Sequence, residues 1–348
     1  MSVLTSDLVF IGSADMPDAD GVTTGGAPTF STLVTFADLS ATQVLDYVSS
    51  SASDTATTIA VTGRDATGVI QTETKTLTGT TAVAGAQSFQ RLLKGVAGGT
   101  MAVGDVAAIS STAIVTGTAQ AATAATATTP ATLTLQSGQG ASVALDQIIR
   151  VTNNLPAGAN FQLRRIIAIS GDVVQVNLEW GTVPTSSTTY TVSTGMLFDL
   201  SPNQVTQVRR PFYNASANAA GGATKIYYEK IFGVDNNTAT ALTGASIVKL
   251  TDPGGLYTGG GALDFALATA LDDGGTVATR QTAPTTGIGT FSTGAAPQTA
   301  AVPSPGNLPS GAAPNAAGAQ GVWLRLTLPA GIAANNTSFQ TEITGTTT

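Results

Sequence analysis

Long stretches of this chain alternate apolar and polar residues at every second position, and the i, i+3, i+4 stripe of a helix is nearly absent, which confines the fold to β-sheet. In Gly321-Val322-Trp323-Leu324-Arg325-Leu326-Thr327-Leu328-Pro329, Val322, Leu324, Leu326 and Leu328 share one face, while Trp323, Arg325 and Thr327 share the other. That pattern predicts a strand with one dry and one wet side. Val174, Val176, Leu178 and Trp180 alternate in the same way with Gln175, Asn177 and Glu179, and Phe339, Thr341 and Ile343 alternate with Gln340 and Glu342. Between Thr57 and Leu77 the order is strand, turn, strand, with Arg64-Asp65-Ala66-Thr67-Gly68 supplying the turn chemistry of a hairpin. The return segment Gln71-Thr72-Glu73-Thr74-Lys75-Thr76 is polar on both sides. It suits an edge strand guarded by its charges, or one face of a subunit contact. Lys225-Ile226-Tyr227-Tyr228-Glu229-Lys230-Ile231-Phe232 is the most β-prone segment of the C-terminal part.

A chain of 348 residues exceeds what one hydrophobic core usually serves. The expected class is all-β, with several β-sandwich or barrel-like modules. Composition shifts place an N-terminal arm and first strands at 1-45, a β module at 46-118 and a small β module at 131-194, with a plain Ala/Thr linker at 119-130 between the two modules. A C-terminal β-sandwich module follows at 195-348, with a Pro/Gly-rich excursion at 282-320. No short-period repeat fills the chain, which disfavours solenoid and collagen-like architectures.

Charged residues are only 10% of the chain, against about 25% in ordinary soluble proteins. Thr, Ser, Ala and Gly must therefore cover the surface, and such a neutral surface suits permanent burial against neighbours. The net charge of −7 still opposes aggregation. Fourteen Lys and Arg spread along an acidic chain argue against nucleic acid and against an anionic membrane as partners. Neither a membrane span nor a secretory signal is expected, since no run of about twenty apolar residues occurs and the start MSVLTSDLVF lacks a basic segment before an apolar one. With no Cys, disulfides and thiolate metal sites are excluded.

The absence of His removes the Ser–His–acid and Cys–His arrangements. The glutamates Glu73, Glu179, Glu229 and Glu342 fall on alternating strands and read as solvated strand faces, not as a catalytic pair. Asp15, Asp18 and Asp20 with Gly21 match part of a calcium loop, but the distal Glu is missing and Pro17 interrupts the spacing, so a turn-rich loop is expected. Asp272-Asp273-Gly274-Gly275 reads as a turn, and Gly254-Gly255 and Gly259-Gly260-Gly261 as loop, because no strand-to-helix phosphate cradle surrounds them. The adjacent pairs Arg164-Arg165 and Arg209-Arg210 read equally as solvated or intrachain-paired arginines and as salt bridges to Asp-bearing neighbouring subunits. Trp180 and Trp323 read as packing residues before they read as stacking platforms for a sugar. No catalytic, cofactor-binding or metal-binding residue is expected, and the chain reads as a non-enzyme.

Three segments resemble virion structural proteins of tailed double-stranded DNA bacteriophages. They are the opening Asp7-Leu8-Val9-Phe10-Ile11-Gly12-Ser13-Ala14-Asp15-Met16-Pro17-Asp18 running to Gly25-Gly26-Ala27; the Thr-rich hairpin Val61 to Gly68 with Thr72-Glu73-Thr74, Leu77-Thr78-Gly79-Thr80-Thr81 and Phe89; and the block from Lys225 to Gly345. The last, with Thr282-Ala283-Pro284 and Gly321 to Arg325, resembles an immunoglobulin-type accessory module. The resemblance implies a capsid cement or decoration protein on the outer capsid surface, or else a tail or fibre component binding a host receptor or glycan. It implies as partners the major capsid protein and copies of the chain itself, a trimer being the expected order from capsid symmetry. A major capsid protein is disfavoured because its long spine helix has no counterpart here. Aromatics at 5% disfavour a fibre tip.

Overall fold

The structure, a computed structural model, describes residues 2–99, 101, 104–152, 161–199, 204–213, 223–254, 256, 259–310, 318–331 and 339–347. The class is all-β, as the alternation requires. Two single-turn 3-10 helices, Thr5–Asp7 and Gly140–Ser142, are the helical content among the described residues.

Strands β1 (Leu8–Asp15), β2 (Thr24–Leu33) and β3 (Leu45–Ser49) lead into the hairpin β4 (Thr58–Arg64) and β5 (Ile70–Thr76). Then come β6 (Val83–Ala84), β7 (Arg91–Gly98), β8 (Val106–Ser110), β9 (Val115–Thr118), β10 (Ala121–Thr123) and β11 (Thr132–Thr134). The middle of the chain forms β12 (Ile148–Thr152), β13 (Phe161–Ser170), β14 (Val173–Val176), β15 (Thr189–Ser193), β16 (Gly195–Phe198) and β17 (Gln207–Arg209). The last seven are β18 (Lys225–Asp235), β19 (Leu242–Thr251), β20 (Ala262–Leu271), β21 (Thr276–Val277), β22 (Gln298–Ala301), β23 (Gln320–Leu328) and β24 (Gln340–Thr347).

The chain divides into two compact units. Unit 1 comprises Met1–Val3, Asp7–Phe30 and Pro211–Thr348; unit 2 comprises Leu4–Ser6 and Ser31–Arg210. Residues 7-30 of the expected N-terminal arm thus group with the C-terminal block, and 31-45 with the modules that follow.

Unit 1 is a sandwich of two antiparallel sheets, one with the order β20-β23-β18-β1 and one with the order β22-β19-β24. Phe10, Ile231, Leu263, Phe265, Val322 and Leu324 of the first face Ile247 of the second across a small interior gap. Central strand β18 is paired on both edges, Tyr228 with Arg325 of β23 and Phe10 of β1 with Gly233. Both of its faces are covered from Tyr227 to Asp235, because Val277, Ile288 and Phe291 pack with Trp323 and Tyr228 on the side away from the gap. The expected wet side of β23 is therefore dry from Gln320 to Leu324, and solvent reaches it only further on, at Arg325. The cover comes partly from the Pro/Gly-rich excursion, which also contributes β22; its residues 311-317 lie outside the described residues.

Unit 2 holds a seven-stranded antiparallel sheet, β10-β11-β14-β13-β12-β15-β9, and a four-stranded one, β16-β8-β3-β6. Ile148 packs with Val48, Ala107, Ile109 and Leu197, while its neighbour Ile149 packs with Leu133, Ile166, Trp180, Tyr190 and Val192. Successive residues of a strand point to opposite faces, so β12 carries apolar residues on both. The Ala/Thr stretch expected as a linker contains β10, and Ala119 is buried against the same core as Trp180. Small methyls and β-branched Thr fit a pleated sheet that has little room beneath it.

The hairpin β4–β5 forms as expected, in register Thr58 with Thr76 through Arg64 with Ile70. Asp65 Oδ1 accepts from the backbone N–H of Thr67 (2.8 Å) and Val69 (2.9 Å), which closes the turn. Strand β5 stands at the edge of the order β17-β7-β4-β5.

Candidate functional site

The gap inside unit 1 has a volume of about 10 Å³, room for roughly one water. Its lining is apolar apart from Lys249, Asp264 and Thr341. A substrate of any size is excluded from it. The polar chemistry of the chain lies instead in buried charge clusters, one group in each unit.

In unit 1, Lys230 is fully buried on β18. Its ammonium donates to Asp273 Oδ2 (2.6 Å), Gly26 O (3.3 Å), Gly275 O (3.4 Å) and the carbonyl of Asp273. The rings of Phe232 and Trp323 stand 5.0 and 5.5 Å from the nitrogen. Burial pulls the Lys230 ammonium below the ordinary lysine range, and the Asp273 carboxylate opposes that shift. Lys249, on β19, donates to Leu263 O (2.7 Å) and Gly294 O (3.1 Å) and pairs with Asp252 at 2.7 Å. Asp235, at the end of β18, is pushed up to about 7 by burial, against the backbone N–H of Asn237 that donates to it at 2.8 Å.

In unit 2, Arg164 on β13 pairs with Asp105 at 3.0 Å, donates twice to Glu179 O and lies over the Trp180 ring. Asp199, just past β16, accepts from Asn177 Nδ2 at 3.0 Å. Its other oxygen is buried with no hydrogen-bond partner among the described residues. Burial and the Asp105 charge push Asp199 up to about 7, against Arg165 and Arg164. Glu73 points inward from the polar strand β5, accepting from Tyr47 Oη (3.1 Å) and Ala86 N (2.7 Å) and pairing with Lys75 at 3.2 Å. Burial and the Glu73 charge raise the Tyr47 phenol above its ordinary range.

The glutamates depart from the expectation of solvated faces. Glu73 and Glu229 are buried, because the strands that carry them are covered on both sides or folded over a loop, whereas Glu342 is exposed as alternation requires. β14 ends at Val176, so Glu179 and Trp180 lie in the loop beyond it, and Trp180 turns into the core. The structure brings no two of these glutamates together.

Asp20 pairs with Arg280 at 3.8 Å and accepts from Gln281 at 3.2 Å. Among the described residues no group of three or more Asp and Glu could hold a metal ion. Asp272 caps the backbone N–H groups of Gly318 and Ala319, while its neighbour Asp273 holds Lys230, a role the turn reading missed. Gly255 lies outside the described residues. Both arginine pairs serve the fold internally, through Arg164–Asp105, Arg165–Asp146 (2.6 Å) and Arg210–Asp38. Arg209 is buried.

Cation pairing within the chain recurs, and at least nine of the fourteen Lys and Arg side chains are spent on Asp or Glu of the same unit. What the sheets present outward is hydroxyl. Thr62 meets Thr72 at 2.8 Å across β4–β5, Thr123 meets Thr132 at 2.8 Å across β10–β11, and Thr243 meets Thr346 at 3.0 Å across β19–β24, all exposed.

No helix among the described residues is long and apolar enough to cross a membrane. No protein-family model, no curated protein and no solved structure matches the chain.

Proposed function

We propose that this chain is a structural virion protein of a tailed bacteriophage, a capsid cement or decoration protein that bridges and stabilises major capsid subunits without catalysis. The observation that carries this reading is the cross-strand threonine pairing on exposed sheet faces, in a chain where at least nine of the fourteen cations are spent internally. A face of paired hydroxyls loses little side-chain entropy and little hydration when a neighbour covers it. The resemblance of the opening segment, the Thr-rich hairpin and the C-terminal block to phage virion proteins supports the same reading, with the C-terminal block as an immunoglobulin-type accessory module. Several modest contacts along one chain, each on a different capsid subunit or on another copy of the chain, add to a firm attachment. Nucleic acid and membranes are not partners in this scheme.

The competing assignment is a tail or fibre component that binds a host receptor or glycan. Trp180 and Trp323 are both buried, so neither presents a ring to a sugar. Antibody labelling of purified particles separates the two. Signal over the head supports the cement assignment, signal confined to the tail overturns it in favour of the fibre, and particles without signal overturn both.

A further inference from the structure

Lys230 and Asp273 are 43 positions apart in sequence, yet their reacting groups are in contact. The site is built to hold them there. A Cβ on Gly25 would lie 2.7 Å from Gly275 O and 2.8 Å from the Trp323 ring, and one on Gly321 would lie 3.0 Å from Lys230 Cε. Glycine at both positions lets backbone and rings close on the ammonium. Around its three protons stand four acceptors, namely three carbonyls and Asp273 Oδ2. When one proton passes to Oδ2, the remaining two stay with carbonyls and the freed lone pair lies against the Asp273 carboxyl group. The backbone N–H of Gly275 donates to Asp273 Oδ1 at 3.2 Å, in position to stabilise negative charge on that oxygen as the carbon becomes tetrahedral.

We propose that Lys230 and Asp273 are a modification site, where the two side chains condense into an intramolecular amide that locks unit 1 covalently. The Nζ–Cγ bond forms and the Cγ–Oδ2 bond breaks. Oδ2 leaves as water with two of the three ammonium protons, the third remaining on the amide nitrogen. Ammonium plus carboxylate gives amide plus water, so no oxidant, reductant or activating group is needed. Contact geometry supplies the effective concentration, and burial of the nitrogen keeps out the water that would reverse the step. In a chain without Cys, such a bond is a route to covalent closure of a long loop. The proposal goes beyond the virion reading and does not depend on it.

The test is the intact mass of the purified full-length chain after denaturation, followed by peptide mapping. The expected mass is lower than that of the sequence by one water, about 18 Da, with a branched peptide joining Lys230 to Asp273. Asp273→Ala restores the full mass. A wild-type chain at full mass, or a deficit mapped to another pair such as Lys249 and Asp252, overturns the proposal. The wild-type measurement decides the matter even if the variant fails to fold, and it leaves the labelling of particles untouched.

Discussion

The two units bury charge in different ways. Unit 1 buries lysine: Lys230 and Lys249 are almost wholly shielded, and five backbone carbonyls, those of Gly26, Leu263, Asp273, Gly275 and Gly294, receive their protons. In unit 2 neither Lys75 nor Lys94 is buried, and its buried carboxylates Asp54, Glu73 and Asp199 are held by Ser49, Tyr47 and Asn177 side chains. The difference follows from the loops. Three of the five, those of Asp273, Gly275 and Gly294, lie in the turn after β20 and in the long excursion, outside the sheet ladders, and carbonyls with two lone pairs there can help solvate an ammonium group. Where such loops are scarce, side chains must do that work in pairs.

Removing a charge should therefore cost more in unit 2, where its partner is left alone. Arg164→Leu strands Asp105 beside the buried Asp199 and should destabilise unit 2 by about 3–5 kcal/mol. Lys249→Met leaves mostly carbonyls and a partly exposed Asp252, and should destabilise unit 1 by about 1–3 kcal/mol. Each unit contains one Trp, Trp180 in unit 2 and Trp323 in unit 1, so denaturation followed by fluorescence in Trp323→Phe and Trp180→Phe backgrounds reads the units separately. Equal losses, or the reverse order, would break the comparison.

Both units hold a carboxyl raised to about 7, Asp199 and Asp235. The folded state binds these protons more tightly than the unfolded chain does. The resulting stability is full below the ordinary Asp range, near pH 4, and is lost as pH rises through about 7. Asp199→Asn should flatten this dependence for the Trp180 signal and Asp235→Asn for the Trp323 signal, each by a few kcal/mol between pH 5 and pH 8 at most. A wild-type protein more stable at pH 8 than at pH 5 would contradict both assignments.

Smaller effects are expected further out. Glu73→Gln keeps one acceptor oxygen for Ala86 N, replaces the other with an amide that donates to Tyr47 Oη, loses the ion pair with Lys75, and should cost about 1 kcal/mol in urea titration. Thr62→Ala with Thr72→Ala removes one exposed hydroxyl pair and should change stability by less than about 0.5 kcal/mol.

The all-β class and the β4–β5 hairpin were legible in the sequence because period-two alternation and the Asp65 turn are local signals. Which faces are dry was legible only in part. Trp323 and Lys230 stand on the side of the sheet away from the gap, and burial there depends on the excursion and on Val277 folding over that side, whereas Glu229 points to the opposite face and is buried where it accepts from the backbone N–H of Phe212. The Lys230–Asp273 contact was illegible for a related reason. Its partners are far apart in sequence, and Asp272-Asp273-Gly274-Gly275 looks like any turn until a lysine is seen beneath it. The Ala/Thr stretch misled in the other direction, since monotony concealed β10 and an alanine, Ala119, that lines a core.

The central claim is that hydroxyl-faced, charge-poor sheets exist to be covered by capsid subunits. It is tested most directly by stripping the chain from purified particles, adding it back, and measuring the temperature at which the particles release their DNA. The account predicts a lower release temperature for stripped particles and recovery on add-back, with the recovery lost when Thr62 and Thr72 are both replaced by Lys. Stripped particles that hold their DNA to the same temperature as intact ones would contradict it.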